Sequence, residues 1–171
     1  LIRQWRADIV IGHRPNDYHP DHRYTGVLMQ DSAYMVTVPF FCPDVPYLAR
    51  NPVFLFSEDR FQKPNPFQAD VVVGIDEVIE KKLQVCDTLE SQFFEGGANG
   101  NPALLPADEA GKEARRRAVR DGFQRRFSST ANRFRKELTQ RYGAEKGASI
   151  RYAEAFEVCE YGRQPSAEEL N

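Results

Sequence analysis

Residues 8–23 read DIVIGHRPNDYHPDHR, and this stretch decides which fold the sequence predicts. Its first five residues form a short, β-branched run that is typical of a buried strand. A loop with proline and asparagine follows, and Pro20 is suited to the first position of a helix, where its missing N–H has no cost. The order strand, loop, helix predicts an α/β fold, in which ligands bind beyond the carboxyl ends of the strands.

The three histidines of the chain all lie in this stretch, at His13, His19 and His22. Imidazoles are common metal ligands and acid–base groups. His19 and His22 are three residues apart at a helix start and can project from one face, while Asp21 turns elsewhere. The spacing is compatible with a metal site, but it also fits ordinary roles. A histidine at a helix start can be a cap or a surface residue, and an aspartate in the first turn offsets the helix dipole.

The composition is that of a soluble globular protein. The chain has 171 residues, 41% hydrophobic and 28% charged, with a formal net charge of −2. These values indicate no nucleic-acid or membrane partner, and no apolar run approaches the roughly 18 residues of a membrane span. The cysteines, Cys42, Cys86 and Cys159, form no CxxC pair. They predict free thiols in a reducing compartment, and we therefore expect a cytoplasmic protein.

Further strands are predicted at 53–57, 70–75 and 150–158. With the strand of the opening stretch they predict one α/β domain over residues 1–160, followed by a polar tail over 161–171. Residues 1–6 resemble the last turns of a helix. A helix end as the first element suggests that the chain is the C-terminal part of a larger fold.

Apolar spacing predicts helices over 20–36, 76–94 and 108–142, the last with an interruption near 128–129. In the first of these helices the residues expected to face inward are Tyr24, Val27, Leu28, Tyr34 and Met35. Asp76 is suited to cap the second helix.

The third helical region is strongly basic. Residues 112–142 contain eleven Lys or Arg against three Asp or Glu. A basic helix can bind phosphate or nucleic acid, or it can be a solvated face that pairs with acidic surface elsewhere. No aromatic residues interleave on the basic face for base stacking, which favours the solvated face.

The stretch 8–22 resembles the second signature of the PIG-L/LmbE-like deacetylases. These are zinc-dependent N-acetylglucosaminyl deacetylases and their relatives. Two later parts of the chain are also similar to that family, residues 81–84 with 91–95, and residues 152–156. They occur in the family's order, so the resemblance spans about residues 1–160.

The resemblance implies a Rossmann-like α/β fold, a three-layer sandwich with its site at the carboxyl ends of the strands. By position, His22 matches a zinc ligand, and His19 matches the histidine that stabilises an oxyanion or acts as an acid. Asp21 matches an aspartate that supports the histidines from beside the metal. His13 has no counterpart, and we place it near the pocket mouth, with substrate contact and a core or loop role both open.

Two features of the family are absent from the sequence. Its first motif, AHPDDE, supplies one His and one Asp ligand together with the Asp general base, and nothing in the 171 residues matches it. The family often has a histidine two residues before the Ser-Gln pair, where this chain has Leu89. We therefore expect the remaining metal ligands and the base to lie upstream of residue 1.

The function implied by the resemblance is zinc-dependent removal of an N-acetyl group from an amino sugar or sugar conjugate, with zinc replaceable by another divalent metal. The main alternative is a non-catalytic binding or scaffold member of the same fold with a decayed or absent metal site. A third hypothesis is a metal-independent nucleic-acid or anionic-ligand binder that uses the basic helix of residues 112–142. The sequence determines neither the exact substrate nor the oligomeric state.

Overall fold

The computed structural model describes residues 1–170, at position 102 for the backbone alone, and its elements are those of an α/β protein. The strands are β1 (Ile9–Gly12), β2 (Val53–Ser57), β3 (Val71–Gly74) and β4 (Ala153–Gly162). They form one sheet in the order β1-β2-β4-β3, with β1 parallel to β2 and β4 antiparallel to β2. The predicted α/β class is confirmed, with a mixed sheet.

Eight helices accompany these strands in the described part of the chain. They are α1 (Ile2–Trp5), α2 (Pro20–Met35), α3 (Ile79–Asp87), α4 (Glu90–Phe93), α5 (Glu109–Arg133), α6 (Arg135–Tyr142), α7 (Ala144–Ser149) and α8 (Ala167–Leu170). None of them is long and apolar enough to cross a membrane. The predicted polar tail thus contains the end of β4 and α8, while residue 171 lies outside the described residues.

The chain divides into two compact units, each with its own core. One comprises residues 1–72 with the segment from residue 155 onward, and the other comprises residues 73–154. The core of the first unit consists of Met29, Ala33, Phe54, Phe56 and Cys159. The core of the second consists of Ile75, Ile79, Leu83 and Phe127. The candidate site residues of the opening stretch all belong to the first unit.

Helix α2 has the predicted bounds, but the inward face predicted for it is wrong. Tyr24 and Leu28 are 68% and 66% exposed, whereas Gly26, Met29 and Ala33 are buried. The loop before α2 packs closely against Gly26, and this contact determines which face of the helix is buried. A Cβ at position 26 would lie 2.5 Å from the carbonyl oxygen of residue 13. The helix therefore packs through Gly26, Met29 and Ala33 rather than through the predicted tyrosines and Leu28.

The later helices also differ from the prediction. The region predicted over 76–94 is divided into α3 and α4, and α3 begins with Val78 as N-cap. The carboxylate of Asp76 instead accepts the backbone N–H groups of Arg151 and Tyr152, so it is not available as a helix cap. The basic helix α5 continues through 128–129 and ends at Arg133, where Phe134 leaves helical geometry and its side chain is buried.

Candidate metal centre

The carboxyl end of β1 positions the first candidate residue. His13 directly follows Gly12, the last residue of β1, and Gly12 is paired with Phe56 near the end of the parallel strand β2. The loops that leave β1 and β2 therefore start side by side. In parallel sheets this edge is where ligand-binding loops gather. We call residues 13–19 the ligand loop.

Three side chains of this stretch converge. His13, Asp17 and His22 each offer a ligand atom, and these atoms all lie within 4.8 Å of one another. The rings of His13 and His22 are stacked, with centroids 4.2 Å apart and planes inclined by 11°. We call this group the His13–Asp17–His22 cluster. Two imidazoles and one carboxylate are a donor set that suits zinc and several other divalent metals.

Asp17 is the central acid of the cluster. It is buried, and its Oδ1 accepts the backbone N–H of His19 at 2.9 Å. The same Oδ1 lies 3.2 Å from Nδ1 of His22. That nitrogen is shielded from solvent and has no partner with hydrogen-bond geometry among the described residues. A buried imidazole nitrogen beside a carboxylate is the arrangement found around metal-binding histidines, in which the carboxylate orients the ring or shares the ion.

The electrostatics of His13 match that arrangement. Burial lowers the pKa of His13, and the neighbouring His22 lowers it further, while Asp17 acts in the opposite direction. A neutral imidazole is the form that binds a metal. The donor set, the buried Nδ1 of His22 and the neutral form favoured at His13 all fit a divalent metal ion.

The structure places His19 beside this cluster but in a different role. Its Nδ1 accepts the backbone N–H of Asp21 at 3.2 Å, so His19 is the N-cap of α2. Its ring centroid is 5.0 Å from that of His22, and its side chain is 34% exposed. Helix N-caps favour short polar side chains that accept from the first turn, and here an imidazole does so.

Asp21 is not brought into the cluster. Its side chain is 86% exposed, and its Oδ2 lies 3.9 Å from Nδ1 of His19. Among the carboxylates of the motif, the one that the structure buries against a histidine is Asp17, which sequence reasoning missed. A signal was present, because an aspartate two residues before a helix N-cap often accepts that residue's N–H.

Aromatic rings border the cluster on its exposed side. Tyr18 is 72% exposed and makes edge contacts with His19 and His22, at centroid distances of 5.8 and 6.0 Å. The ring of Phe61 lies 6.2 Å from that of Tyr18. An exposed aromatic surface therefore lies beside the histidines.

The structure is similar to those of known proteins. GalB, the 4-carboxy-2-hydroxymuconate hydratase from Pseudomonas putida, matches with a TM-score of 0.56 and 16% identity, over 96% of this chain and 57% of GalB. The conserved protein TT1542 from Thermus thermophilus matches with a TM-score of 0.52 and 17% identity, over 96% of this chain and 57% of that one. At these identities the likeness shows a shared fold, and the chain spans 57% of the length of each protein.

A third match is weaker. N,N'-diacetylchitobiose deacetylase from Pyrococcus horikoshii, complexed with its inhibitor, has a TM-score of 0.45 and 22% identity, over 92% of this chain and 48% of that one. No family model matches the sequence.

Proposed function

We propose that the protein is a metal-dependent hydrolase of the PIG-L/LmbE-like type, which removes an N-acetyl or other N-acyl group from an amino sugar or sugar conjugate. One observation carries the proposal. At the carboxyl end of β1, His22 turns a buried Nδ1 toward the carboxylate of Asp17 and stacks on His13. The shared α/β fold and the resemblance of the opening stretch support it.

The cluster is the metal site, and zinc is its preferred ion. His22 is a ligand in this proposal, as the family resemblance implies. His13 and Asp17 lie within reach of the same ion, which gives His13 a role in the centre itself. A divalent metal in such a site supplies Lewis-acid chemistry, since it polarises an acyl oxygen and lowers the pKa of water.

His19 stabilises the oxyanion that forms when water adds to the acyl carbon. Because its Nδ1 accepts the N–H of Asp21, neutral His19 carries its proton on Nε2. That N–H can donate to the oxyanion and stabilise it. The oxygen of the attacking water stays in the carboxylate product, and a proton from the same water goes to the departing amine. Asp21 supports His19 from the solvent side. Because its side chain is 86% exposed, it contributes less to stabilising the oxyanion than His19 does.

The substrate is a small molecule with a ring that can lie on an aromatic surface. Tyr18 presents an exposed ring beside His19 and His22, and the ring of Phe61 lies next to it. The apolar face of a pyranose suits such a surface, and a sugar conjugate therefore fits better than a linear amide. The free cysteines of the chain accord with a cytoplasmic enzyme.

One observation favours a second candidate, a metal-holding module without catalysis. The carboxylate expected beside the catalytic histidine, Asp21, is almost fully solvated, so it cannot strengthen His19 as a buried acid would. The two candidates agree on metal binding and differ on hydrolysis.

The first test is the metal content of the purified protein after removal of metal and reloading with zinc. We expect close to one zinc per chain in the wild type and almost none in His22→Asn. His19→Asn is the matched control, because asparagine is a preferred N-cap and keeps the start of α2. It should bind zinc as the wild type does. Full zinc retention by His22→Asn, with an unchanged circular dichroism spectrum, would contradict the proposed site.

The second test is acetate release from N-acetylglucosamine conjugates by the zinc-loaded protein. The hydrolase is supported if the wild type releases acetate and His19→Asn, still loaded with zinc, is slower by at least about 100-fold, the scale of a lost oxyanion donor. If zinc binds and no acetate is released from any N-acetyl sugar, the non-catalytic module is the correct assignment.

A further inference from the structure

We propose that Arg14 is the positioning residue of the metal centre. It fixes the ligand loop against the loop that follows β2, residues 58–67, which we call the β2 loop. The proposal rests on the proposed metal site, because positioning matters only if the cluster binds an ion. Arg14 lies between the strand end and the ligands, and the resemblance to known deacetylases gives it no role.

The side chain of Arg14 is buried and donates to three positions of the β2 loop. Its Nε donates to Oδ2 of Asp59 at 2.7 Å and its terminal nitrogen donates to Oδ1 at 2.5 Å, which is a two-pronged ion pair. The remaining donors reach the carbonyl oxygens of Asn65 at 2.9 Å and Phe61 at 3.1 Å. These hydrogen bonds tie the start of the ligand loop to the β2 loop.

The backbone of the same residue holds the ligand loop. The carbonyl oxygen of Arg14 accepts the N–H of Asp17 at 3.2 Å, and His13 is its neighbour in the chain. Asp17 in turn accepts the N–H of His19. A shift of Arg14 therefore moves two members of the cluster and the cap of α2 together. At the surface, Asn16 makes a parallel contact with the β2 loop by donating to the carbonyl oxygen of Lys63 at 2.7 Å.

The pair depends on the shape of arginine as well as on its charge. The side chains of Arg14 and Asp59 are only 7% and 12% exposed, so water cannot replace a lost contact. A guanidinium presents a planar fork that meets both carboxylate oxygens, and the ammonium of lysine is a point charge that cannot. We therefore expect Arg14→Lys to leave the charge in place and release the loop.

The experiment compares Arg14→Lys with Arg3→Lys. Arg3 is another buried arginine of the same unit, and its side chain donates to carbonyl oxygens of residues 35–45. Zinc affinity is measured by competition with a chromophoric chelator, and amide hydrogen exchange is measured on the metal-free proteins. Thermal unfolding of both variants verifies that they are folded.

We expect Arg14→Lys to weaken zinc binding by about 10–100-fold, the usual effect of losing a group that orients metal ligands. The amides of Asp17 and His19 should also exchange markedly faster. Arg3→Lys should keep the zinc affinity of the wild type, whatever it loses in thermal stability. Asp59→Asn should weaken zinc binding to the same extent. The double variant Arg14→Lys with Asp59→Asn should bind zinc no more weakly than either single variant, because both changes break the same contact.

An unchanged zinc affinity in Arg14→Lys would overturn the proposal, and so would equal weakening by Arg3→Lys, because the effect would then be general destabilisation. If the wild type binds no zinc, the proposed function fails. In that case, faster amide exchange at Asp17 and His19 in Arg14→Lys, but not in Arg3→Lys, still supports the role of Arg14 in positioning the ligand loop. Unchanged amide exchange in Arg14→Lys rejects that role.

Discussion

Two buried arginines organise two loops of the same unit, and they do so in different ways. Arg3 donates to six backbone carbonyl oxygens, those of Met35, Val36, Val38, Phe41, Cys42 and Val45. Arg14 donates to one carboxylate and two carbonyl oxygens, and its bond to Asp59 raises the pKa of its guanidinium. Arg3 closes the C-terminal end of α2, where unpaired carbonyls and the helix dipole favour a cation.

The difference between the two sites lies in what remains when the arginine is removed. Without Arg3, carbonyl oxygens of a partly exposed loop are left, and water can reach several of them. Without Arg14, the carboxylate of Asp59, with its side chain only 12% exposed, loses its cationic partner and keeps the hydrogen bond from the backbone N–H of Phe61. An uncompensated buried charge costs far more than a carbonyl that can be hydrated. Removal of Arg14, beside the candidate metal centre, should therefore lower the free energy of unfolding more than removal of Arg3.

The largest effect is expected from Arg14→Met. We expect the free energy of unfolding, from denaturant titration, to fall by about 3–5 kcal/mol, because Asp59 loses its partner. Adding Asp59→Leu should recover part of that loss, since the double variant removes the more buried of the two carboxylates that Arg14 faces, while Glu157, 3.8 Å from Arg14 and with its side chain 22% exposed, remains. A double variant less stable than Arg14→Met would show that the ion pair is not the cause.

A smaller loss is expected from Arg3→Met. Hydrogen bonds from a charged group are individually strong. In Arg3→Met, however, water can hydrate most of the carbonyl oxygens that lose their donor, because the loop is exposed. We therefore expect the free energy of unfolding to fall by about 2–3 kcal/mol. The same denaturant titration measures it. A loss greater than that of Arg14→Met would reverse the comparison and indicate that the carbonyl contacts cannot be replaced by water.

The smallest pair of effects concerns the helix behind the ligand loop. Gly26→Ala should lower the free energy of unfolding by about 1–3 kcal/mol, because its Cβ would lie 2.5 Å from a backbone oxygen of residue 13. Gly122→Ala is the matched control in α5, where the nearest atom is the end of the Arg125 side chain at 3.9 Å. It should raise stability by about 0.5–1 kcal/mol. Equal effects in both variants would exclude close packing as the cause.

Three of the four strands were the most predictable part of this fold, whereas β4 (Ala153–Gly162) begins three residues and ends four residues later than predicted. Short β-branched runs bounded by polar residues indicated β1, β2 and β3 to within one residue at each end. The bounds of α2 were also confirmed, because Pro20 and the cap before it are local signals. Its buried face was predicted wrongly, since Gly26 is buried by a loop whose position no helical periodicity encodes.

The candidate site was predicted only in part, for a related reason. The histidines are visible in the motif, whereas the signal at Asp17 is local, its place two residues before the N-cap of α2, and it was missed. The contacts of Arg3 and Arg14 depend on partners 32–51 residues away in the chain, which only the tertiary structure brings near. Whether His19, His22 and Asp21 have their expected roles remains a prediction for the experiments above.

The His13–Asp17–His22 cluster draws its members from ten consecutive residues, whereas the Arg14–Asp59 pair joins positions 45 residues apart. Closing so short a segment around an ion costs little chain entropy, even when the rest of the protein is unfolded. The unfolded chain therefore keeps some affinity for the ion. By thermodynamic linkage, a bound metal stabilises the fold only by the difference between its affinities for the folded and unfolded chains. A metal held here would raise the melting temperature less than its affinity suggests, and denatured protein would retain a share of it.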